Sequence, residues 1–199
     1  MNGNTEQYYD DNAQSFINGT ISADVSDLRN RFLKYIPAQG CILDWGCGSG
    51  RDTIDFLKKG YVVDAIDGSR EIAKLASEAA GILVKCEKFD QLDAHDKYDG
   101  IWACASILHV KKDELINILK LANNALKPGG VIYASFKYGD FFGERNGRYF
   151  TDMTYERFAD LLGQINSLTL EEHWITSDVR EGRESEKWIN FVVRRKMNS

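Results

Sequence analysis

The sequence predicts an α/β fold in which helices cover both faces of a parallel sheet. Apolar runs typical of strands alternate with amphipathic runs typical of helices between residues 41 and 137. The apolar runs are short and rich in Val and Ile, as strands buried on both faces are. Glycine follows two of the helical runs and Pro128-Gly129-Gly130 follows a third, so each helix has a stop signal before the next strand.

Five strands and three helices are predicted in this central part. The helices over residues 51–59 and 70–80 both end at a glycine, and the second begins after Ser69, a good N-cap. A third helix has apolar residues on one face and ends before Pro128, which cannot continue it. The strands cover residues 41–45, 61–67, 82–86, 100–104 and 131–136, and the third helix covers residues 111–127.

The flanking segments complete the predicted domain. Residues 5–18 and 24–36 predict two helices, which are too short to form a domain of their own. Two late strands are separated by about ten residues, too few for a crossover helix, so we expect an antiparallel pair at the sheet edge. The late elements are a helix over residues 154–162 and strands over 168–176 and 187–195. We expect one domain over residues 1–199, with a helical cap at 1–38, a ligand-binding core at 39–138 and a substrate-side part at 139–199.

Composition and charge disfavour several kinds of partner. The net charge of −5 gives no basic surface for nucleic acid or anionic lipid. The longest apolar stretch, residues 100–110, is shorter than the ~20 residues that span a membrane. Residues 1–12 lack the basic and apolar regions of a signal peptide, and the four cysteines stand singly without metal-ligand spacing. We therefore expect a cytoplasmic protein without a metal, acting as a monomer or homodimer.

A glycine-rich turn is the most informative segment. The predicted strand that ends at Trp45 runs into Gly46-Cys47-Gly48-Ser49-Gly50 and then into a helix. Such a turn lets a ligand approach the backbone closely, with free amide groups directed at it. The alternative is a plain strand-to-helix turn, but three glycines at alternate positions exceed what a turn needs. A dinucleotide site has glycine or alanine where Arg51 stands, so a pyrophosphate ligand is disfavoured.

Asp67 is the second element of the same predicted site. It ends the next strand, about twenty residues beyond the glycines, where a carboxylate accepts hydrogen bonds from ribose hydroxyls. Its other possible role is that of an acid at a helix N-terminus beside Ser69. In combination with the glycine turn, we favour ribose binding.

These motifs resemble those of class I S-adenosylmethionine (SAM) methyltransferases. The resemblance covers residues 41–137 and includes Tyr98-Asp99-Gly100-Ile101 and the Leu126–Gly130 turn. Residues 48–67 are similar to the small bacterial enzymes that include the tellurite-resistance methyltransferases. The resemblance implies a Rossmann-like seven-stranded sheet of order 3-2-1-4-5-7-6 with strand 7 antiparallel. It also implies that SAM binds across the carboxyl ends of strands 1 and 2 and leaves as S-adenosylhomocysteine.

The resemblance also implies roles for individual residues. Gly46 and Gly48 lie beside the methionine part, Asp44 holds its ammonium group, and Asp67 holds the ribose. Lys88 stands where the family often has an adenine-binding acid, so we expect Phe89 and Asp90 beside the adenine instead. The other predicted cofactor-site residues are Cys47, Arg51, Gly68, Ser69, Cys104, Ala105 and Ser106.

Methyl transfer requires little from the protein beyond positioning. The nucleophile must lie about 3 to 3.5 Å from a carbon already activated by positive sulfur, with water excluded. A base helps if the acceptor carries a proton, and His109, just after the fourth strand, is the candidate. The alternative is a histidine that caps or packs against the following helix.

The acceptor is predicted from exclusions and from residues outside the core. With only Pro37 and Pro128, the chain lacks the proline-containing signatures of DNA methyltransferases, and Ala103-Cys104-Ala105 lacks the acid of aminopropyl transferases. We expect a small soluble acceptor, with an anionic group if the arginines bind it. The alternative for the arginines is a solvated face paired with Glu144, Glu184 and Glu186. The candidate contacts are Tyr8, Tyr9, Lys137, Tyr138, Arg145, Arg148, Arg180, Arg183 and Trp188, with Asn12 and Phe16 also on the cap.

Two other functions stay open at this point. One is a non-catalytic SAM-binding sensor or partner protein, because the cofactor site alone does not establish transfer. The other is an NAD-dependent oxidoreductase, against which Arg51 argues.

Overall fold

The computed structural model describes residues 3–197. Its strands, numbered in chain order, are β1 (Cys41–Trp45), β2 (Val62–Asp67), β3 (Val84–Cys86), β4 (Tyr98–Ala103), β5 (Leu126–Lys137), β6 (Phe142–Arg145), β7 (Arg148–Thr151), β8 (Leu168–Ser177) and β9 (Lys187–Arg195). Its α-helices are α1 (Gly3–Asp11), α2 (Ala13–Thr20), α3 (Ser26–Leu33), α4 (Arg51–Lys58), α5 (Arg70–Ala80), α6 (Leu115–Ala125) and α7 (Tyr155–Leu162).

The main sheet has seven strands in the order β3-β2-β1-β4-β5-β9-β8. The pairs within β3-β2-β1-β4-β5 are parallel, and β9 is antiparallel to both β5 and β8. With β8 and β9 as the sixth and seventh strands of this sheet, the expected order and the antiparallel strand 7 are confirmed. Because β1 is central and parallel to both neighbours, the turn that follows it lies at the carboxyl edge of the sheet, where ligands bind in such folds.

Helices pack on both faces of the sheet. On one face, Phe32 of α3 and Phe56 of α4 pack with Trp102 and Tyr133 of the central strands. On the same side, α5 contributes Ala73 and Ala76 against Ala65 of β2. The opposite face is covered by α6 and α7, whose apolar residues share one cluster with Leu43 and Ile101. This two-sided burial explains why the core strands are nearly continuous apolar runs.

Three predicted helices differ from the structure at their ends or within. The prediction of one helix over residues 5–18 is wrong, because the helix is interrupted at Asn12. The side-chain amide of Asn12 donates to the Tyr8 carbonyl (2.8 Å). The helix predicted over 24–36 is only α3. The helix predicted over 111–127 is only α6, because Leu126 leaves the helix and pairs with Tyr98 in the sheet.

The hairpin formed by β6 and β7 is absent from the sequence-based prediction. Its two strands are joined by Asn146 (φ 50°) and Gly147 (φ 76°), both in the left-handed region that a tight two-residue hairpin turn requires. Asn-Gly is the strongest short-range sequence signal for such a turn, so the signal was present. The hairpin positions Arg145 and Arg148 on either side of the turn.

No helix within residues 3–197 is both long enough and apolar enough to cross a lipid bilayer.

Candidate cofactor and acceptor site

The turn between β1 and α4 brings backbone close to its neighbours. Gly46, Gly48 and Gly50 all have positive φ values, of 80°, 54° and 74°. The amides of Gly46 and Cys47 both donate to the Ile66 carbonyl (2.9 and 3.0 Å), which ties the turn to β2. A Cβ atom at Gly46 would lie 2.5 Å from Cβ of Ser106, so only glycine fits there. We call this turn, residues 46–50, the cradle; a side chain at Gly46 would displace Ser106, which forms its opposite wall.

Asp67 is bound between this turn and the following helix. One carboxylate oxygen accepts the Gly48 amide and the other accepts the Ser69 amide, both at 3.0 Å. Burial raises its pKa to about 6. Each carboxylate oxygen has a second lone pair, so these backbone bonds fix the carboxylate and leave acceptor capacity for a hydroxyl pair.

Asp44 is buried at the end of β1 and has one close polar contact within the core. The Thr53 hydroxyl donates to its Oδ2 atom at 2.6 Å. Burial, followed by repulsion from Asp52, raises the pKa of Asp44 to about 8. A buried acid of this kind favours a nearby positive charge, because a cation restores its ionised form. This chemistry fits the ammonium role predicted for Asp44.

Arg51 belongs to a buried ion-pair cluster beside the cradle. Its guanidinium binds Asp52 through Nε and Nη2 (2.9 and 2.7 Å). Asp52 also accepts from Arg29 (2.6 Å) and from the indole of Trp102 (2.9 Å). Asp52 therefore fixes Arg51, and the Nη1 atom of Arg51 retains only a long contact of 3.4 Å to the Thr20 carbonyl.

The segment after β4 closes the cradle from the other side. The Ser106 hydroxyl donates to the Trp45 carbonyl (2.6 Å), and the Ala105 amide donates to the Ser135 hydroxyl (2.8 Å). Ala105 has a φ of 53°, which is unusual for a residue with a Cβ atom. The surrounding bonds hold this strained residue where the ends of β1 and β4 meet.

Two cavities meet at this edge of the sheet. The larger has a volume of about 690 Å³ and the smaller about 40 Å³. The residues that line both are Tyr9, Phe16, Gly46, Gly48, Ala105 and His109. Phe16 of the cap lies over Gly48 at the boundary between the two cavities.

The predicted cofactor residues divide between these cavities. Asp44, Cys47, Arg51 and Cys104 line only the larger. Asp67, Ser69, Phe89 and Ser106 line only the smaller. Gly68 and Asp90 line neither, and the Asp90 side chain is exposed.

Cap helix α1 brings two acids to the site that the sequence analysis did not single out. Asp10 accepts the Ser69 hydroxyl (2.5 Å) and the Glu71 amide (3.2 Å) at the start of α5. Glu6 pairs with Lys88 (2.8 Å) and lines the smaller cavity. Their spacing of four residues puts both acids on one face of α1, but it does not indicate what that face contacts.

His109 is buried at the cavity boundary and bonded through both ring nitrogens. Its Nδ1 atom lies 2.6 Å from the Tyr149 carbonyl and must therefore carry the proton, which leaves Nε2 as an acceptor. The Tyr9 hydroxyl lies 2.9 Å from that Nε2 atom and donates to it. Burial lowers the pKa of His109 to about 4, so the ring is neutral at neutral pH.

Most of the predicted substrate residues line the larger cavity, but their charges are already paired. Arg145 binds Asp152 through two bonds (3.0 and 2.6 Å), and Arg180 binds Asp178 likewise (2.9 and 2.6 Å). Lys137 bonds to Glu186. Glu144 and Glu184 bind Asn4 and the Gly182 amide instead, so of the three acids expected to pair with the basic residues only Glu186 does so. The predicted residues that line this cavity are Tyr9, Lys137, Tyr138, Arg145, Arg148, Arg180, Arg183 and Trp188.

Arg148 differs from the other basic residues of this cavity. It has no carboxylate partner within residues 3–197, and its buried Nε atom has no hydrogen-bond acceptor there. Its guanidinium lies 4.6 Å from the ring centre of Tyr8 and 5.3 Å from that of Phe150, and its Nη1 atom lies 3.4 Å from the Tyr9 hydroxyl. Tyr8 lines neither cavity and packs beneath this guanidinium.

Comparisons with known proteins test the family resemblance. Residues 17–174 match the family described as a methyltransferase domain. The chain belongs to this methyltransferase family. The family resemblance and the SAM cofactor predicted from the motifs are thereby confirmed, whereas the matches do not single out the tellurite-resistance enzymes.

Individual relatives show how far the similarity extends. The YqeM protein of Bacillus subtilis (strain 168), named as a methyltransferase, is 30% identical over 118 residues, 54% of this chain and 48% of that protein. The chain thus spans about half the length of this relative. An uncharacterized methyltransferase of Staphylococcus carnosus (strain TM300) is 26% identical over 175 residues, 84% of this chain and 79% of that protein.

A solved structure with the same fold holds both a product cofactor and an acceptor. It is the 1,6-didemethyltoxoflavin-N1-methyltransferase of Burkholderia thailandensis with bound 1,6-didemethyltoxoflavin and S-adenosylhomocysteine. The TM-score is 0.74 at 21% identity, over 96% of this chain and 87% of that chain. At this identity the likeness concerns the fold.

Proposed function

We propose that this protein transfers a methyl group from SAM to a small-molecule acceptor that enters the larger cavity and presents one acidic or strongly hydrogen-bond-accepting group to Arg148. The observation that carries this proposal is the unpaired Arg148 guanidinium beside the Tyr9–His109 hydrogen bond. Tyr9 and His109 line both cavities, and Arg148 lines the larger one next to Tyr9.

The residues around the glycine turn fit the cofactor. Asp67 offers a fixed, buried carboxylate for the ribose, and Asp44 offers a buried acid for the ammonium group. Gly46 and Gly48 line both cavities, so a ligand there lies against their backbone. When bound, SAM supplies a methyl carbon activated by positive sulfur, so the protein needs to position the acceptor and exclude water.

The volume of the larger cavity supports an acceptor of metabolite size. Pockets for small ligands measure roughly 300 to 1,000 Å³, and this cavity has about 690 Å³. The Burkholderia relative binds a small heterocycle. Because that protein shares only the fold, the argument for a small acceptor depends on the cavity of this chain.

The charges of the cavity argue for one anionic contact rather than several. Acidic and basic side chains line it in equal number, seven of each. Close ion pairs neutralise four of the seven basic ones, namely Arg51, Lys137, Arg145 and Arg180. Arg148 is different because its charge faces aromatic rings and a hydroxyl. A carboxylate, phenolate or similar group would compensate it through charge-assisted hydrogen bonds.

Tyr9 and His109 are placed to receive the proton of the acceptor. Burial raises the pKa of Tyr9, so its hydroxyl keeps its proton and donates to His109. A neutral imidazole with a pKa of about 4 is a weak base. Such a base is sufficient when the acceptor loses its proton during methylation. The heteroatom then gains positive charge and its proton becomes acidic, so proton transfer to the imidazole is favourable.

Transfer of labelled methyl groups to a fractionated metabolite extract tests this proposal. We expect label from SAM in one or a few small, anionic products. Arg148→Gln should raise KM for that acceptor at least about ten-fold, the loss expected for a charged hydrogen bond. Arg70→Gln removes an exposed charge of α5 and serves as the control. SAM binding without any labelled product in extracts would contradict methyl transfer to a small molecule, and an unchanged KM in Arg148→Gln would contradict the role of Arg148.

A further inference from the structure

Glu6 on cap helix α1 has one carboxylate oxygen bonded and one buried without a partner. Its Oε2 atom lies 2.8 Å from Nζ of Lys88, and its side chain is only 15% exposed. Its Oε1 atom is buried and accepts no hydrogen bond from any residue in the range 3–197. A buried acceptor without a donor is costly, and carboxylates demand such donors more strongly than neutral groups do.

The walls of the smaller cavity indicate what kind of donor would complete Glu6. Asp67 and Ser69 form a polar side suited to a ribose, whereas Ile72 and Phe89 form an apolar side suited to the flat face of a base. Glu6 lines the same cavity. With a volume of about 40 Å³ this cavity admits one edge of a base and not the whole ring. The carboxylate of Glu6 selects an edge that donates hydrogen bonds.

We propose that Glu6 recognises the 6-amino group of the adenine base, and that Lys88 holds Glu6 in position for this contact. Adenine carries an exocyclic amine that donates hydrogen bonds, which is what the unpartnered Oε1 atom lacks. Lys88 binds the other oxygen from the loop after β3. The carboxylate that binds the base thus comes from the cap and not from the core. Recognition of the base therefore requires that α1 is packed against the loop after β3.

The lysine at position 88 explains why the carboxylate comes from the cap. An acid at position 88 would repel Glu6, whereas a lysine attracts it at 2.8 Å. The lysine side chain is 43% exposed and its partner 15% exposed, so the pair extends from the surface toward the cavity. This inference concerns the cofactor alone and is independent of the acceptor proposed above.

Calorimetry with S-adenosylhomocysteine and its analogue lacking the 6-amino group tests the inference. The measured quantity is the ratio of the two dissociation constants. A substitution that weakens the binding of both ligands equally leaves this ratio unchanged. In the wild-type protein we expect the amino compound to bind at least about ten-fold more tightly, the effect of one hydrogen bond to a charged group. In Glu6→Ala the ratio should fall to near one.

Two further variants complete the experiment. Gln7→Ala alters the neighbouring exposed residue of α1 and should keep the wild-type ratio. Glu6→Gln keeps an acceptor oxygen without the charge and should give a ratio between those of wild type and Glu6→Ala, which also provides the answer if Glu6→Ala does not fold. A wild-type ratio in both Glu6 variants would overturn the inference. If wild-type protein binds neither compound, the cofactor assignment itself fails, which is a separate outcome.

Discussion

The Tyr9 hydroxyl lies 2.9 Å from Nε2 of His109, although the two residues are a hundred positions apart in the chain. The bond joins cap helix α1 to the turn that follows β4, at the boundary between the two cavities. In the proposed reaction, the cap therefore contributes a polar group to the site in addition to covering it. The two side chains should act as one unit in catalysis.

We predict that Tyr9→Phe and His109→Gln each lower kcat/KM about ten-fold, the loss expected for one buried hydrogen bond. The double variant should be no slower than the more impaired single variant, because the second change removes a bond that is already lost. Steady-state kinetics of all three measure this. Tyr8→Phe, at the neighbouring tyrosine outside both cavities, is the control and should retain wild-type rates. Additive losses in the double variant would show that the two groups act separately.

Burial of His109 makes stability depend on pH in a defined window. Its pKa is about 4 in the folded protein, against 6.5 in the unfolded chain, so the unfolded state binds the proton more tightly. The stabilisation is complete above pH 6.5 and is lost as the pH falls toward 4. Between pH 7 and pH 5 this amounts to about 2 kcal/mol of unfolding free energy.

Urea denaturation of the wild-type protein and His109→Gln at both pH values measures this effect. The wild type should lose more stability than the variant on acidification. His95→Gln removes an exposed histidine and should behave like the wild type. Parallel losses in wild type and His109→Gln would mean that His109 is not held neutral.

Cofactor binding should release a proton from Asp44. With a pKa of about 8, this buried acid is mainly protonated at pH 7, and a nearby ammonium group lowers the pKa and expels the proton. Calorimetric titration with SAM in two buffers of different ionisation enthalpy measures protons released. We expect up to one proton for the wild type and a smaller number for Asp44→Asn. Equal heats in the two buffers with wild-type protein would disprove the ammonium role.

Two glycines with nearly the same backbone conformation provide a matched pair for the cradle. Gly46 has a φ of 80° and Gly60 a φ of 84°, but an added Cβ meets Ser106 at Gly46 and nothing within 4 Å at Gly60. Gly60→Ala should cost about 1 kcal/mol of stability from its left-handed conformation, and Gly46→Ala about 3 kcal/mol because overpacking adds to that strain. Denaturant unfolding measures both costs. SAM binding should be lost only in Gly46→Ala, and comparable costs with intact binding in both variants would refute the cradle.

Local sequence patterns predict the parts of this protein whose structure depends on neighbouring residues. The central strands are apolar because both faces are buried, and the glycine turn and Asp67 lie within one strand–helix–strand unit, where spacing alone brings them together. The β6–β7 hairpin also has a local signal in Asn146-Gly147, the dipeptide typical of a tight two-residue turn.

Contacts between distant segments were not predictable in the same way. Glu6 and Asp10 reach the site because α1 docks on the start of α5 and on the loop after β3, and no spacing in the sequence encodes that docking. The sequence shows the arginines as a group, but their partners Asp152 and Asp178 depend on how the hairpin and the β8–β9 connection fold. Arg148 stands out only after these pairs are known.

Calorimetry of S-adenosylhomocysteine binding tests the central claim most directly, since it requires no acceptor. We predict saturable binding of one molecule per chain to the wild-type protein. For Asp67→Asn the dissociation constant should be at least about ten-fold larger, because the variant loses the charge to which the ribose hydroxyls donate. The absence of saturable heat with folded wild-type protein would contradict the account, because the glycine turn and Asp67 would then not form a nucleoside site.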